Sequence, residues 1–216
     1  SILLSRYSGE EDVVFGVTVS GRPVDLAGSE NMIGLFINTL PFRVQVDREA
    51  PLGEWLRQLQ NEQVEIRHYE YTPLVQIQGW SQVPRGTPLF DSLLVFENIP
   101  AGALQTGGRS SVNIEGGSSV SYTNFPLTVV AVPGEEMLIK ISYDAQLFDP
   151  ATIQRMMSHL STLLEAMPHY VSRRLVEIPM LTATEQRQLL EEWNIPHSTY
   201  RSDRCIHQWV EEQVLK

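Results

Sequence analysis

The chain has 216 residues, 42% of them hydrophobic and 19% charged, which is enough for one domain with a sizeable core or one domain and a tail. Its 16 Lys and Arg stand against 26 Asp and Glu, a formal net charge of -10, and this argues against a nucleic-acid partner because phosphates are neutralised by clustered cations. A single cysteine, Cys205, excludes an internal disulfide and suits a reducing cytoplasm, and no apolar run approaches the length of a bilayer span, so no membrane partner is expected.

In chain order, SILLSRY (1–7) reads as the last turns of a helix with Gly9 as its stop, as if the chain started inside something larger. DVVFGVTVS (12–20) reads as a buried strand. MIGLFINTLPFRV (32–44) is a second apolar run, interrupted by Asn38, Thr39 and Pro41. Asn38 and Thr39 are expected to end that strand, and Pro41 to stop its ladder pairing. Pro51 suits a first helical residue, and Leu52, Trp55, Leu56, Leu59 and Ile66 follow at helical spacing, predicting a helix to about His68. A second short helix is expected from Pro73.

Residues 90–96 (FDSLLVF) predict a strand, and residues 101–119 a Gly- and Ser-rich loop with one short strand at 111–115. LTVVAV (127–132) and MLIKISY (137–143), joined across Pro133-Gly134, predict a hairpin. Asp149-Pro150 supplies an N-cap and a first helical residue. Behind it, Ile153, Met156, Met157, Leu160, Leu164 and Met167 form an apolar stripe, with His159 on its flank or in the core. Thr182 and Glu185 fit a capping box for a helix ending near Trp193. A polar linker follows, and CIHQWVEEQVL (205–215) predicts a last amphipathic helix. The fold class is α/β, a mixed β-sheet flanked by helices with a C-terminal linker tail.

Self-contained chemistry is not visible. The five histidines, His68, His159, His169, His197 and His207, never pair or take HExxH spacing, and no metal site is expected. GxSxG, GxxxxGK[ST] and GxGxxG motifs are all lacking.

Three stretches in register, VVFGVTVSGRP (13–23), MIGLFINTLPFRV (32–44) and HYEYTPL (68–74), resemble the C-terminal signature motifs of nonribosomal peptide synthetase condensation domains. SYTNFPLTV (121–129) and ISYDAQLFD (141–149) are also similar to that family's pattern. Residues 181–194 resemble the connector into an adenylation domain, and residues 205–214 its opening helix. The resemblance implies a chloramphenicol-acetyltransferase-like C-terminal lobe at 1–176, a condensation-to-adenylation linker at 177–202 and the start of an adenylation domain at 203–216. It implies amide-bond formation between aminoacyl or peptidyl thioesters carried on 4'-phosphopantetheine arms, with no cofactor bound directly. The implied partners are an N-terminal condensation lobe, an adenylation domain and peptidyl carrier proteins. The family's His-His-x-x-x-Asp-Gly motif is absent from these 216 residues, so no catalytic residue is assigned and the chain alone is expected to be inactive.

On this resemblance a tunnel between two lobes would be lined here by Gly16, Ser20, Asn38, Thr39, Asn124 and Phe125, with Arg22 tying the lobes through a carboxylate. Each has a plainer reading. Asn38 holds a thioester carbonyl or an arm amide, or it bonds only its own backbone at a bend. Ser20 lines the arm's path or belongs to a turn, and Gly16 marks close approach of a backbone or a ligand. Asn124 and Phe125 floor the tunnel or only pack. His68 ends its helix against the macrodipole. An epimerisation-domain half and a non-catalytic carrier-binding scaffold are the alternatives. Exposed apolar surface is expected where the first lobe would sit.

Overall fold

Strand β1 (Asp12–Val19) has a neighbour on each edge. On one side β2 (Asn38–Gln45) runs antiparallel from Asp12↔Gln45 to Val19↔Asn38. On the other, β3 (Ser92–Phe96) runs parallel with Gly16↔Leu93 in register. Parallel β4 (Leu127–Val132) and antiparallel β5 (Leu138–Tyr143) complete the order β2-β1-β3-β4-β5. This computed structural model describes residues 1–20, 27–97, 123–195 and 205–214. The chain divides into two compact units, Ser1–Met180 and Leu181–Lys216.

Side chains alternate across a strand, so each strand has one core face. Val13 and Phe15 of β1 and Phe42 and Val44 of β2 are buried against α1 (Ile2–Ser8), the start of α2 (Leu52–Arg67) and Leu163 of α4 (Pro150–Ala166). Leu127 joins Ile153 and Met156 of α4 in a second cluster. The edge-to-face pair Phe15–Phe42, 5.6 Å between centroids, locks the two neighbouring strands together.

Local signals set the element ends. Gly9 stops α1 at φ 79°, a conformation that costs a glycine no Cβ clash. Asp149 caps α4 by accepting from the Ala151 N–H at 2.8 Å. In the second unit Thr182 and Glu185 close the expected capping box at the start of α5 (Ala183–Arg187), and one turn of π-helix carries the chain to Glu192. Helix α6 (Ile206–Val214) follows the expected last pattern. The helix after Pro73 is also present, as α3 (Leu74–Trp80).

Helix α2 has no side-chain cap, since Pro51 occupies the N-cap position rather than the first helical one. Its first two N–H groups instead donate to carbonyls of the segment after α4: Leu52 to Arg173 at 2.9 Å and Gly53 to Val171 at 2.8 Å. Arg6 of α1 grips the same segment, donating to the carbonyls of Leu175 and Ile178 at 2.7 Å each. Burial, and then the nearby charge of Arg48, lower the pKa of that guanidinium.

Several expectations are corrected. Residues 32–37 form no strand, because β1 ends at Val19 opposite Asn38 and offers the preceding residues nothing to pair with. Asn38 and Thr39 therefore begin β2 rather than end a strand. Pro41 does not stop the ladder: it sits opposite Gly16, and its missing N–H is tolerated because β2 is an edge strand. The buried stripe of α4 is Ile153, Met156, His159 and Leu163, while Met157, Leu160 and Leu164 are only half-buried. His159 can be inside because its Nδ1 shares a 2.8 Å hydrogen bond with the Tyr7 hydroxyl. Leu56 is 40% exposed, outside the buried face of α2. The strand expected at 90–96 starts at Ser92, leaving Phe90 free to turn onto the sheet. The loop at 101–119, its strand at 111–115 and most of the polar linker lie outside the described residues.

Gly53 has no room for a larger residue, since an added Cβ would lie 2.9 Å from Val171 Cγ1 and 3.1 Å from its carbonyl oxygen. Gly53→Ala is expected to lower unfolding stability by about 1–3 kcal/mol through overpacking, seen as a lower melting temperature. An unchanged melt would show that this contact does not hold the segment.

Candidate functional site

The face of the sheet away from the Phe15 and Phe42 core is exposed or half-buried along β1 and β2 except at Gly16, and buried there and at Leu93 and Thr128. By strand alternation it presents Val14, Gly16 and Thr18 of β1, Thr39, Pro41 and Arg43 of β2, and Leu93 and Thr128 farther along. Arg43 makes a bidentate ion pair with Asp12 at the strand end, and that hydrogen bonding holds the Asp12 carboxyl below the usual carboxylate range.

The six residues expected to act together fall into two groups. Ser20, Asn38 and Thr39 gather where β1 ends and β2 begins. Asn124 and Phe125 precede β4, whose first residue pairs with Ser92 at the opposite end of the sheet. At about 3.3 Å per residue the two groups are separated by roughly 20 Å along the strand direction. Gly16 lies between them and belongs with the second. Arg22 lies outside the described residues.

In the first group Asn38 is fully committed. Its Nδ2 donates to the carbonyl of Glu70 at 2.9 Å and that of Thr72 at 2.8 Å, and its Oδ1 accepts from the Thr39 N–H at 2.9 Å. The amide thus ties the start of β2 to the turn after α2, where His68 is the exposed C-cap residue. Of the two readings of Asn38, the backbone-bonding one describes the geometry, although the backbone is that of a distant turn. The hydroxyls of Ser20 and Thr39 make no hydrogen bond among the described residues. Leading into this corner, Ile33, Leu35 and Ile37 are 105%, 90% and 66% exposed, an apolar run on the surface.

In the second group a side chain fills the space over Gly16. A Cβ there would collide with the Phe90 ring and lie 3.0 Å from Leu93 Cδ1. Phe90 stacks on Phe125 with centroids 5.2 Å apart and planes at 22°. The close approach signalled by a glycine in a strand interior is made here by the Phe90 ring. Sequence reasoning missed Phe90 as a site residue; Gly16 was the available signal, but it does not say which side chain comes near. It also missed the Glu70 and Thr72 carbonyls, which carry no side-chain signature.

Among the described residues no group of three or more His, Cys, Asp and Glu side chains could hold a metal ion, and no helix is long and apolar enough to cross a membrane.

Comparison with known proteins places this architecture. The family model described as Condensation domain matches residues 1–190. One of the linear gramicidin synthase proteins of Brevibacillus parabrevis is 49% identical over 216 residues, all of this chain but 4% of that protein. Surfactin synthase subunit 2 of Bacillus subtilis (strain 168) is 36% identical over 221 aligned positions, all of this chain and 6% of that protein. The chain therefore spans a small part of the curated relatives it matches. Among solved structures, a four-domain nonribosomal peptide synthetase, holo-AB3403 bound to AMP and glycine, shares the fold with a TM-score of 0.71 at 17% identity, over 86% of this chain and 15% of that one. The X-domain in complex with OxyB from teicoplanin biosynthesis aligns with a TM-score of 0.66 at 25% identity, over 84% of this chain and 40% of that one. The fold class expected from the sequence is thus found, a mixed five-stranded sheet with flanking helices as in condensation domains.

Removing the Asn38 amide leaves the Glu70 and Thr72 carbonyls without their donor. Asn38→Ala should cost about 1–3 kcal/mol in urea unfolding, and Asn38→Asp at least as much, since a carboxylate cannot donate to either carbonyl. Wild-type stability in the Asp variant would refute the double-donor role.

Proposed function

This chain belongs to the condensation-domain family of nonribosomal peptide synthetases, and from that premise we propose that it is the C-terminal lobe of a domain that joins two carrier-bound thioesters. The acceptor amine attacks the donor thioester carbonyl, a C–N bond replaces the C–S bond, and the donor arm leaves as a thiol. The observation that carries this reading is a family match over residues 1–190, together with whole-chain similarity to peptide synthetases. The histidine motif that would position or deprotonate the amine is not in these 216 residues, so a companion N-terminal lobe supplies it.

In this reading Ser20, Thr39, Asn124 and Phe125 border the path of the phosphopantetheine arms, with Gly16 behind the Phe90 ring and Asn38 on the opposite face of β2, in line with Leu40, Phe42 and Val44. Asn38 acts by fixing the turn at Glu70 and Thr72, while the hydroxyls of Ser20 and Thr39, which make no hydrogen bond among the described residues, suit direct contact. Arg22 ties the lobes. Residues 1–176 form the lobe, 177–202 the linker and 203–216 the start of an adenylation domain. Carrier proteins and the adenylation domain are the partners, and the setting is cytoplasmic.

The test is a single-turnover assay with two loaded carriers, read by mass spectrometry of the product. The chain alone should give no amide, and the chain within its two-lobed domain should give the dipeptidyl thioester. Amide formation by the isolated chain, or none by a folded two-lobed domain with any loaded pair, would refute the proposal.

A further inference from the structure

Helix α2 is held at its two ends and thinly packed between them. Its buried residues, Leu52 and Trp55, both lie in the first turn. Beyond them Leu59 and Ile66 are half-buried, and Val64 is 50% exposed. At the start, the Leu52 and Gly53 N–H groups donate to carbonyls of Arg173 and Val171, and Trp55 Nε1 donates to the Gln45 carbonyl at 2.9 Å. At the end, the turn closes on itself through the Thr72 N–H and the Tyr69 carbonyl at 2.8 Å, and the Asn38 amide holds it to the start of β2.

The segment at the near end, residues 171–178, is fastened from outside α2 as well. The Leu175 and Val176 N–H groups donate to carbonyls of Ala50 and Arg48 at 3.0 and 2.9 Å, and Arg6 takes the carbonyls of Leu175 and Ile178. This segment runs on to Met180, where the first unit ends. A helix of 16 residues is about 24 Å long and marginal in water by itself, because its first turn is costly to form and the rest adds cooperatively. With little buried along its middle, α2 depends on the hydrogen bonds at both ends. Opening either end therefore lowers the stability of the whole helix and loosens the other.

We propose that α2 is a coupling element between residues 171–178 and the corner where β1 ends and β2 begins, so that release of one end loosens the other. Resting on the function proposed above, the consequence is regulatory: the chain leading into the second unit has a hold on the corner of Ser20 and Thr39. The coupling itself is a property of the fold and does not require that function.

The experiment is hydrogen–deuterium exchange on the full synthetase module containing this chain, read at 171–178 and 68–72, with β4 and β5 as the control. Arg6→Met removes both guanidinium donors at the near end without touching α2. It should speed exchange at 171–178 and, by roughly 2- to 30-fold, at 68–72. Asn38→Ala loosens the far end and should speed exchange at 171–178 by a similar factor, so the result does not hang on one variant's folding. In both variants β4 and β5 should change less than the end opposite the substitution. Glycines in place of Gln60 and Asn61, both exposed in the middle of α2, interrupt the helix. Added to Arg6→Met, they should leave exchange at 68–72 no faster than the glycine pair alone makes it. Acceleration confined to the substituted end, acceleration as large in β4 and β5, or a far-end response that survives the glycine pair would overturn the inference. Each of these outcomes is read without any turnover, whereas a folded module with the expected exchange and no amide product would sink the condensation reading alone.

Discussion

One side-chain amide organises this half of the molecule. Asn38 stands where β2 begins, and two of its three hydrogen bonds join that strand to the turn after α2, more than thirty residues on, while the third holds the neighbouring Thr39 N–H. Two stretches that are similar to family motifs, 32–44 and 68–74, are thereby one physical unit. The amide is required because the turn offers two carbonyls and the strand one N–H, a demand that no hydroxyl or carboxylate of similar size satisfies. The apolar run from Ile33 to Ile37 reaches the sheet at this clamp, so its point of entry is fixed even though Ile33, Leu35 and Ile37 are exposed.

A second constraint acts by absence. Gly16 withholds a Cβ at the centre of the sheet, and Phe90 takes the space, buries itself and offers a flat ring to Phe125. The same glycine faces Pro41 across the ladder, on an edge strand where a lost N–H costs little. The face opposite the helices thus has an aromatic pair at one end and, at the other, two hydroxyls with no hydrogen bond among the described residues.

The helical side is held by the segment after α4, which supplies carbonyls to the bare N-terminus of α2 and to Arg6 of α1. Leu175 and Ile178 from this segment are almost fully buried beside Leu52 and Leu163. Each such side chain contributes about 1.5–3 kcal/mol by leaving water, so the segment belongs to the core although it contains little regular structure. An uncapped helix start is stable here only because distant backbone takes the place of a cap.

What the sequence determined by itself was local. Gly9, Asp149, the Thr182–Glu185 box and the Pro133-Gly134 turn act on backbone within a few residues, so their elements were legible before any fold was known. The family motifs were legible too, as matched residue types in register. Tertiary structure alone decided strand order, the seating of Phe90 over Gly16, the role of Asn38 and the inward place of His159. Each of these depends on a partner far along the chain: Asn38 on Glu70 and Thr72, His159 on Tyr7, Gly16 on Phe90. An amide, an imidazole or a missing Cβ advertises a capacity in sequence, but which group meets it is fixed only when the sheet has formed and brought the partner within reach.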